Sequence, residues 1–234
     1  MRINEEVLHL SEELIEREKL NKSLKILYTY FKRFLIRCID IIGALVGLII
    51  CIPLTVVVAV KNHQNKDFGP IFFVQERIGK NGKRFKMFKY RTMVVGADDI
   101  LFKYLEENPE AKEEYRIYKK LKNDPRITKF GEKLRKTSLD EFPQFINVLM
   151  GDMTLVGPRP YLPREIEDMG EYYEKIVTVK PGLTGLWQIS GRSDVEFDNR
   201  LDLDVQYTKK RTIKNDMKIL LITVLITLKR KGAI

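Results

Sequence analysis

Residues 41 to 60 read IIGALVGLIICIPLTVVVAV, a run of twenty residues without a charged side chain. A helix of that length covers the ~30 Å hydrocarbon layer of a bilayer, so this apolar segment is predicted to enter a membrane. It is unlike a secretory signal, because Glu5 and Glu6 open the sequence and the apolar run begins late. We therefore expect it to stay in the mature protein.

The flanking charges and a proline argue against a simple spanning helix. Lys and Arg residues occur on both sides, at positions 22–37 and 61–91, whereas the positive-inside rule predicts an asymmetric distribution for a single span. Pro53 lies past the middle of the segment and lacks the amide proton of a regular helix, so it can bend the helix. From the residues alone, two alternatives stay open: a re-entrant helix that turns back in one leaflet, or a span that tolerates its proline.

The composition limits the classes of partner and metal. A total of 42 Lys and Arg against 32 Asp and Glu gives a net charge of +10, which indicates an anionic partner: nucleic acid, lipid headgroups or phosphorylated metabolites. No zinc-finger, RRM or homeodomain pattern favours nucleic acid. With Cys38 and Cys51 as the only cysteines, a disulfide framework or a thiolate cluster is excluded, and any metal is expected to have oxygen ligands.

The remaining patterns predict an α+β protein that is mostly helical. Asn81-Gly82 between IFFVQERIG and RFKMFKYRTM predicts a small, basic β-hairpin. Residues 98–121 suit one or two exposed helices, and the apolar run 219–228 is too short to span and suits a buried or interfacial helix. Residues 1–31 carry heptad-like apolar positions, which favour an amphipathic helix over a dimerisation zipper.

The stretch that carries chemistry is residues 135–160, RKTSLDEFPQFINVLMGDMTLVGPRP. Pro143 is tolerated in a first turn and Gly151 is a usual C-cap, so a helix is predicted from about 139 or 140 to Gly151, with Asp140 and Glu141 at its positive end. One interpretation is a capping box between Ser138 and Glu141. The other is chemical: one carboxylate attacks a bound phosphate while its neighbour holds Mg²⁺ or moves a proton.

Two further segments carry arginines in stiff or shaped surroundings. Arg159 lies between two prolines in Gly157-Pro158-Arg159-Pro160, which suits phosphate recognition, although prolines also simply end elements. Residues 180–193, KPGLTGLWQISGRS, include Arg192 and are predicted to be a shaped loop rather than a core element.

Together these motifs resemble the bacterial sugar transferases, the monotopic polyprenyl-phosphate phosphoglycosyl transferases. The resemblance runs from about residue 32 to the C-terminus and rests on the apolar segment with its proline, FFVQERIGKNGKRFKMFKYRTM, TSLDEFPQFINVLMGDMTLVGPRP and KPGLTGLWQISGRSD. It implies a monotopic protein at the cytoplasmic face of the bacterial membrane, with a re-entrant helix broken at Pro53, and contact with lipid headgroups. We therefore predict three parts: an N-terminal amphipathic extension (1–31), which the resemblance does not cover, the re-entrant helix (32–62) and a cytosolic catalytic domain (63–234).

The resemblance also implies a reaction: Mg²⁺-dependent transfer of a sugar 1-phosphate from a UDP-sugar to undecaprenyl phosphate, with release of UMP. Asp140 would be the nucleophile that forms an aspartyl phosphosugar, Glu141 would assist it, and Mg²⁺ would lie at this dyad. The family's phosphate-binding arginines match Arg135, Arg159 and Arg192. The LWQISGRSD form is similar to members that transfer galactose or glucose 1-phosphate in the first membrane step of exopolysaccharide or capsule synthesis.

The sequence departs from the family's pattern at two points, and two alternative functions stay open. Many members have Ser before the membrane proline where this chain has Ile52, and the chain lacks the multi-span N-terminal region of longer relatives. The alternative functions are a membrane-anchored nucleic-acid binder, motivated only by net charge, and a noncatalytic scaffold of a polysaccharide assembly complex, motivated by the unmatched first thirty residues. A second copy of the chain and other enzymes of the pathway are further candidate partners.

Overall fold

The computed structural model describes the backbone of residues 2–191 and 195–228, and the side chains of residues 17–191 and 195–227. The described elements are mainly helices, as the sequence predicted. The helices are α1 (Arg2–Gln64), α2 (Ala97–Glu107), α3 (Pro109–Tyr118), α4 (Lys129–Lys136), α5 (Gln144–Met150), α6 (Ile166–Met169), α7 (Tyr172–Ile176), α8 (Leu186–Ile189), α9 (Phe197–Lys210) and α10 (Ile213–Leu228). The strands are β1 (Phe72–Ile78), β2 (Arg84–Tyr90), β3 (Thr154–Val156) and β4 (Gly182–Thr184), and 3₁₀ turns lie at Lys80–Gly82, Leu139–Glu141 and Pro163–Glu165.

The apolar segment belongs to the long helix α1, which includes Pro53 in its interior. Within the described residues, one helical stretch, Arg17–Gln64, is long and apolar enough to cross a membrane. Because residues on both sides of Pro53 are helical, any change of direction there would be a kink inside a helix, and the re-entrant geometry stays a prediction. The chain forms two compact units, Met1–Ile39 and Asp40–Ile234, so the apolar segment belongs to the larger unit.

Within the larger unit, the apolar segment has an inner and an outer face. The inner face is formed by buried residues at helical spacing: Asp40, Ala44, Cys51, Val58 and Asn62. The outer face is apolar and exposed, and it comprises Ile42, Leu45, Val46, Ile49, Ile50, Ile52, Val56, Val57 and Val60. An exposed apolar stripe of this length is the surface expected of a helix that contacts lipid on one side and protein on the other.

Small residues let this helix approach the rest of the larger unit closely. A Cβ added to Gly43 would lie 2.6 Å from Leu155 Cδ1, and one added to Gly47 would overlap the ring of Phe145. At the start of the apolar segment, the buried Asp40 carboxylate accepts bonds from the Thr154 hydroxyl and the Leu155 amide at 2.8–2.9 Å. The segment is therefore part of the protein core on its inner side.

The predicted β-hairpin is confirmed. Strands β1 and β2 pair antiparallel in the register Phe72↔Tyr90 to Ile78↔Arg84. The connecting turn places Asn81 at φ 56° and Gly82 at φ 75°, backbone values that Asn and Gly adopt at low cost. Helices α2 and α3 confirm the prediction for residues 98–121.

The predicted helix over the Asp140 region begins later than expected. Residues Leu139–Glu141 form a 3₁₀ turn, and α5 starts only at Gln144. Ser138 has a left-handed backbone at φ 56° and its side chain does not cap the turn, so the capping box is absent. The predicted end is correct, since Gly151 lies at φ 91° and its amide bonds the Asn147 carbonyl.

The Trp-containing segment was predicted to be a loop, and this is wrong. Strand β4 pairs in parallel with β3, and α8 follows directly, with Trp187 buried. Gly157, Gly182 and Gly185 bring their backbones so close together that side chains would clash. The glycines therefore serve tight packing here, and they do not mark a surface loop.

Helix α10 has one buried and one exposed apolar side. In α10, Ile219 is buried, whereas Met217, Leu221, Val224 and Leu225 are exposed. The buried side of α10 contacts α8, β3 and β4, so this helix covers the parallel strand pair and leaves an apolar surface outside.

Candidate active site

The turn that carries Asp140 and Glu141 packs against the inner side of the apolar segment. The 3₁₀ turn that carries them also contains Leu139 and is followed by Phe142, and both side chains pack in one hydrophobic cluster with Cys51 and Val58 of α1. Leu48, Leu54, Tyr90 and Leu134 belong to the same cluster. The dyad is thus supported from behind by the helix that is expected to contact lipid.

Strand β2 is held beside the dyad by a buried amide. The Asn147 side chain in α5 accepts a bond from the Phe88 amide at 3.1 Å and donates to the Lys86 carbonyl at 2.7 Å. Asn147 is fully buried, so this amide pairs with the strand backbone much as a neighbouring strand would. The contact fixes β2 against α5, and it brings the next residue of the strand, Lys89, to the dyad.

Lys89 makes an ion pair with Glu141. The Lys89 ammonium donates to Glu141 Oε1 at 2.7 Å, with both side chains partly exposed. Burial on its own would raise the pKa of Glu141, but the charge and hydrogen bond of Lys89, together with Arg159 and Arg77, lower it below its usual value. Glu141 is therefore ionised at neutral pH.

Asp140 has the opposite electrostatic character. Its side chain is buried, and burial raises its pKa to about 6, opposed by the positive charge of Lys89 and reinforced by the negative charge of Glu141. At pH 7 most of the carboxylate is still ionised, but it has lost its hydration. A poorly solvated carboxylate beside cations is suited to attack an electrophilic phosphorus.

Arg135, which the resemblance suggested as a phosphate binder, lies near the dyad. Its Nε donates to the Thr92 hydroxyl at 2.9 Å, and the charges of Asp140 and Glu141 act on its guanidinium. Burial lowers the pKa of Arg135 despite these carboxylates, but an arginine stays protonated. Arg135 thus supplies a positive charge at the Asp140 side of the dyad.

Arg159 is positioned by backbone and ring contacts. Its amide donates to Asp204 Oδ2 at 3.0 Å, and its guanidinium lies over the Trp187 ring at 5.3 Å from the ring centre. Arg200 lies 5.7 Å from the centre of the same ring. The positive charge of Arg159 also helps to lower the pKa of Glu141. The third predicted arginine, Arg192, lies outside the described residues.

Arg77 adds a further cation to this site. Its guanidinium donates to the Pro160 carbonyl at 2.9 Å and to Gln75 Oε1 at 2.7 Å, and burial together with the neighbouring Arg159 lowers its pKa to about 9. Among the residues that the structure describes, Arg77, Lys89, Arg135 and Arg159 place four cations around the two carboxylates. Such an excess of positive charge suits a ligand that brings its own negative charge, such as a diphosphate.

The sequence pointed to Asp140, Glu141, Arg135 and Arg159 but gave no specific role to several residues around them. Lys89 and Arg77 were noted only as members of a basic hairpin. Asp204, which is fully buried and whose pKa is raised by burial to about 7, accepts bonds from the Arg159 amide and the Tyr161 hydroxyl. No local motif distinguishes Asp204 from the other acids of α9, so only the tertiary contact identifies it.

Asp140 and Glu141 could hold a magnesium ion only together with oxygen atoms from a bound substrate. Among the described residues, no group of three or more His, Cys, Asp or Glu side chains could hold a metal. Mg²⁺, however, is often bound by one or two carboxylates together with substrate phosphates and water. Asp140 and Glu141 meet that requirement only if the ligand contributes oxygen atoms.

Comparison with known proteins assigns the chain to a family. The family profile described as bacterial sugar transferase matches residues 31–230. The chain belongs to the bacterial sugar transferase family. This match begins within one residue of the point where the sequence motifs begin to resemble the family.

Three relatives show the range of this family. The chain is 45% identical over 201 residues to the undecaprenyl-phosphate galactose phosphotransferase of Salmonella typhimurium, covering 86% of this chain and 42% of that protein. It is 41% identical over 188 residues to the exopolysaccharide production protein ExoY of Rhizobium meliloti, covering 80% and 83%. It is 36% identical over 200 residues to the UDP-glucose:undecaprenyl-phosphate glucose-1-phosphate transferase of Escherichia coli, covering 82% and 40%. The chain thus spans less than half of the Salmonella and Escherichia relatives and most of ExoY.

Proposed function

We propose that this chain transfers a sugar 1-phosphate, galactose or glucose 1-phosphate, from a UDP-sugar to undecaprenyl phosphate at the cytoplasmic face of the membrane. The observation that carries the proposal is the buried, cation-surrounded Asp140 on a turn packed against the apolar segment of α1. A nucleophile in this position can reach a water-soluble nucleotide and a lipid phosphate alike. The names of the relatives support the class of donor and acceptor.

In the first step, an Asp140 carboxylate oxygen attacks the phosphorus that bears the sugar. A new bond joins this oxygen to phosphorus, the bond from phosphorus to the UMP oxygen breaks, and UMP leaves with the electron pair. Lys89, Arg77, Arg135 and Arg159 stabilise the negative charge on the phosphoryl oxygens. Mg²⁺, held by the dyad and the donor phosphates, would supply further neutralisation of the diphosphate charge.

In the second step, a phosphate oxygen of the lipid acceptor attacks the same phosphorus. The bond to Asp140 breaks, the carboxylate is regenerated, and the product is a lipid-linked diphosphate sugar. Glu141 stays ionised through its contact with Lys89, which favours a role in holding the cation and the charge balance over a role as a proton donor. This reaction would start the assembly of an exopolysaccharide or capsule.

The test uses the full chain in nanodiscs with undecaprenyl phosphate, Mg²⁺ and a panel of UDP-sugars. We expect UMP release from UDP-galactose or UDP-glucose that requires both lipid and Mg²⁺ for repeated turnover. Mass spectrometry of enzyme quenched with donor alone should find a phosphosugar adduct on the peptide that contains Asp140. Product formation by an Asp140→Asn variant at the wild-type rate would refute the nucleophile.

A further inference from the structure

The turn of α1 around Pro53 is bound by a tyrosine from the strand that carries Lys89. The Tyr90 hydroxyl lies 3.0 Å from the Cys51 carbonyl oxygen, 2.6 Å from the Thr55 hydroxyl and 3.2 Å from Cys51 Sγ. The Thr55 hydroxyl also lies 2.8 Å from the Cys51 carbonyl. Tyr90 is almost completely buried, and its ring stacks on Phe72.

These contacts add further causes for a bend in α1 to the effect of Pro53. Pro53 removes one amide donor from the helix, and Thr55 bonds back to the carbonyl four residues earlier, an arrangement that bends helices. Both hydroxyls lie within hydrogen-bond distance of the Cys51 carbonyl, and they also contact each other. A side chain that enters the helical hydrogen-bond ladder in this way is a recognised origin of kinks.

Here Ile52 occupies the position before the proline, so no hydroxyl comes from that residue. Thr55 provides a hydroxyl in the same turn from the C-terminal side of the proline. Tyr90 provides a second hydroxyl from outside the helix. Because Tyr90 follows Lys89 directly, one short strand end contacts both Glu141 and this turn. A shift of the turn relative to β2 would therefore alter the position of the dyad relative to the lipid-facing side of α1.

We propose that Tyr90 is a positioning residue that holds the Pro53 turn in register with β2 and so places the reacting carboxylate at the correct depth for the lipid phosphate. The inference rests on the proposed function for its kinetic consequence. The soluble donor reaches the dyad from the aqueous side, so a small change in depth affects it little. The acceptor has its tail fixed in the membrane, so the same change moves its phosphate away from the reacting phosphorus.

The first test is Tyr90→Phe, which removes the hydroxyl and keeps the stacked ring. In nanodiscs with undecaprenyl phosphate, we expect the KM for the lipid to rise about fivefold, the effect of one typical hydrogen bond. The KM for the UDP-sugar and the single-turnover release of UMP without acceptor should stay within about twofold of wild type. A parallel loss in both half-reactions would overturn the proposal, because a merely structural role predicts that result.

A second variant tests the partner hydroxyl. Thr55→Val should give the same selective rise in the lipid KM. In the Tyr90→Phe/Thr55→Val double variant, the lipid KM should rise no further than about fivefold above wild type. If the lipid KM of the double variant rose about 25-fold, the product of two independent effects, the result would contradict a shared network. Thr29→Val is the matched control, because Thr29 bonds back to Lys25 in the same helix at 2.8 Å but is exposed; Tyr104→Phe controls for the loss of a tyrosine hydroxyl.

Hydrogen exchange gives a readout that needs no turnover. Tyr90→Phe should speed exchange of the amides at 54–58 about fivefold and leave those at 43–48 unchanged. Equal exchange in the two proteins would overturn the role of Tyr90 whatever the kinetics. Wild-type protein that released no UMP would instead refute the proposed function, and the exchange result would still decide whether Tyr90 holds the turn.

Discussion

Replacing Asp140 by Asn should abolish turnover and at the same time stabilise the fold. The pKa of Asp140 lies at about 6 in the folded protein against an ordinary value of 3.8, so the folded state disfavours the ionised carboxylate. At 1.36 kcal/mol per pH unit, this difference costs about 3 kcal/mol once both states are ionised. An asparagine has a similar shape and carries no charge, so it removes that cost.

The raised pKa of Asp140 determines the direction of the change in unfolding free energy and the pH range in which it appears. Above pH 6.5 the whole cost is present, and as the pH falls through 6 towards 4 the folded carboxylate takes up its proton and the cost disappears. We expect Asp140→Asn to gain about 3 kcal/mol at pH 7.5 and about 1 kcal/mol at pH 4.5. For a chain of this size, the gain at pH 7.5 corresponds to a rise of about 6–12 °C in the unfolding midpoint.

The assay is thermal unfolding of wild type and variant in the same detergent at both pH values. Glu141→Gln is the control with the opposite sign: the pKa of Glu141 is lowered, so its charge contributes stability above its ordinary pKa, and its removal should lower the midpoint at pH 7.5. An Asp140→Asn midpoint at or below wild type at pH 7.5 would refute the reasoning. So would a gain that does not shrink at pH 4.5.

Three further predictions concern the reaction, the packing and the topology. Single-turnover UMP release should fall about tenfold per pH unit below pH 6, because protonated Asp140 is no nucleophile; a flat profile between pH 5 and 7 would contradict the role of this group. Gly47→Leu should destabilise the protein by about 1–3 kcal/mol through its overlap with the Phe145 ring, whereas Ile49→Leu on the exposed face should leave the unfolding midpoint unchanged. Pro53→Leu should straighten the helix toward a span, so that a single cysteine placed at position 5 of a cysteine-free background becomes labelled from outside in intact cells; unchanged labelling would count against Pro53 as the break.

Much of the fold could be predicted because the deciding signals are local. Asn81-Gly82 specifies the hairpin turn through its backbone preferences, and Gly151 specifies the end of α5 in the same way. The apolar segment is recognisable from its composition alone. What the segment does on its inner side was not predictable, because Gly43 and Gly47 acquire meaning only from the side chains that fill the space beside them.

The errors have a common physical origin in tertiary packing. Pro143 was placed in the first turn of a helix, but the chain uses a 3₁₀ turn and a left-handed Ser138 to present the dyad before α5 begins. The glycines around Trp187 suggested a loop, yet they allow a buried parallel strand pair. A single sequence contains little information about such contacts, because each joins residues that are far apart along the chain.

Asp204 illustrates why the site itself was only partly predictable. It lies 64 residues after Asp140 in a helix of ordinary charged composition, and its importance comes from contacts with the Arg159 amide and Tyr161. Lys89 was visible only as one of several lysines in the hairpin. Its pairing with Glu141 depends on the strand register and on Asn147, neither of which has a local signature.

The packing of Leu139 and Phe142 against α1 has a practical consequence for anyone preparing this protein. Cutting away the first 64 residues to obtain a soluble fragment would uncover the apolar floor beneath the dyad, including Leu134 and Tyr90. On the proposed function, the same apolar helix would both anchor the chain in the membrane and support the turn that carries the dyad. A fragment without this helix is therefore expected to lose the packing of Leu139 and Phe142, and with it the geometry of the turn that carries Asp140.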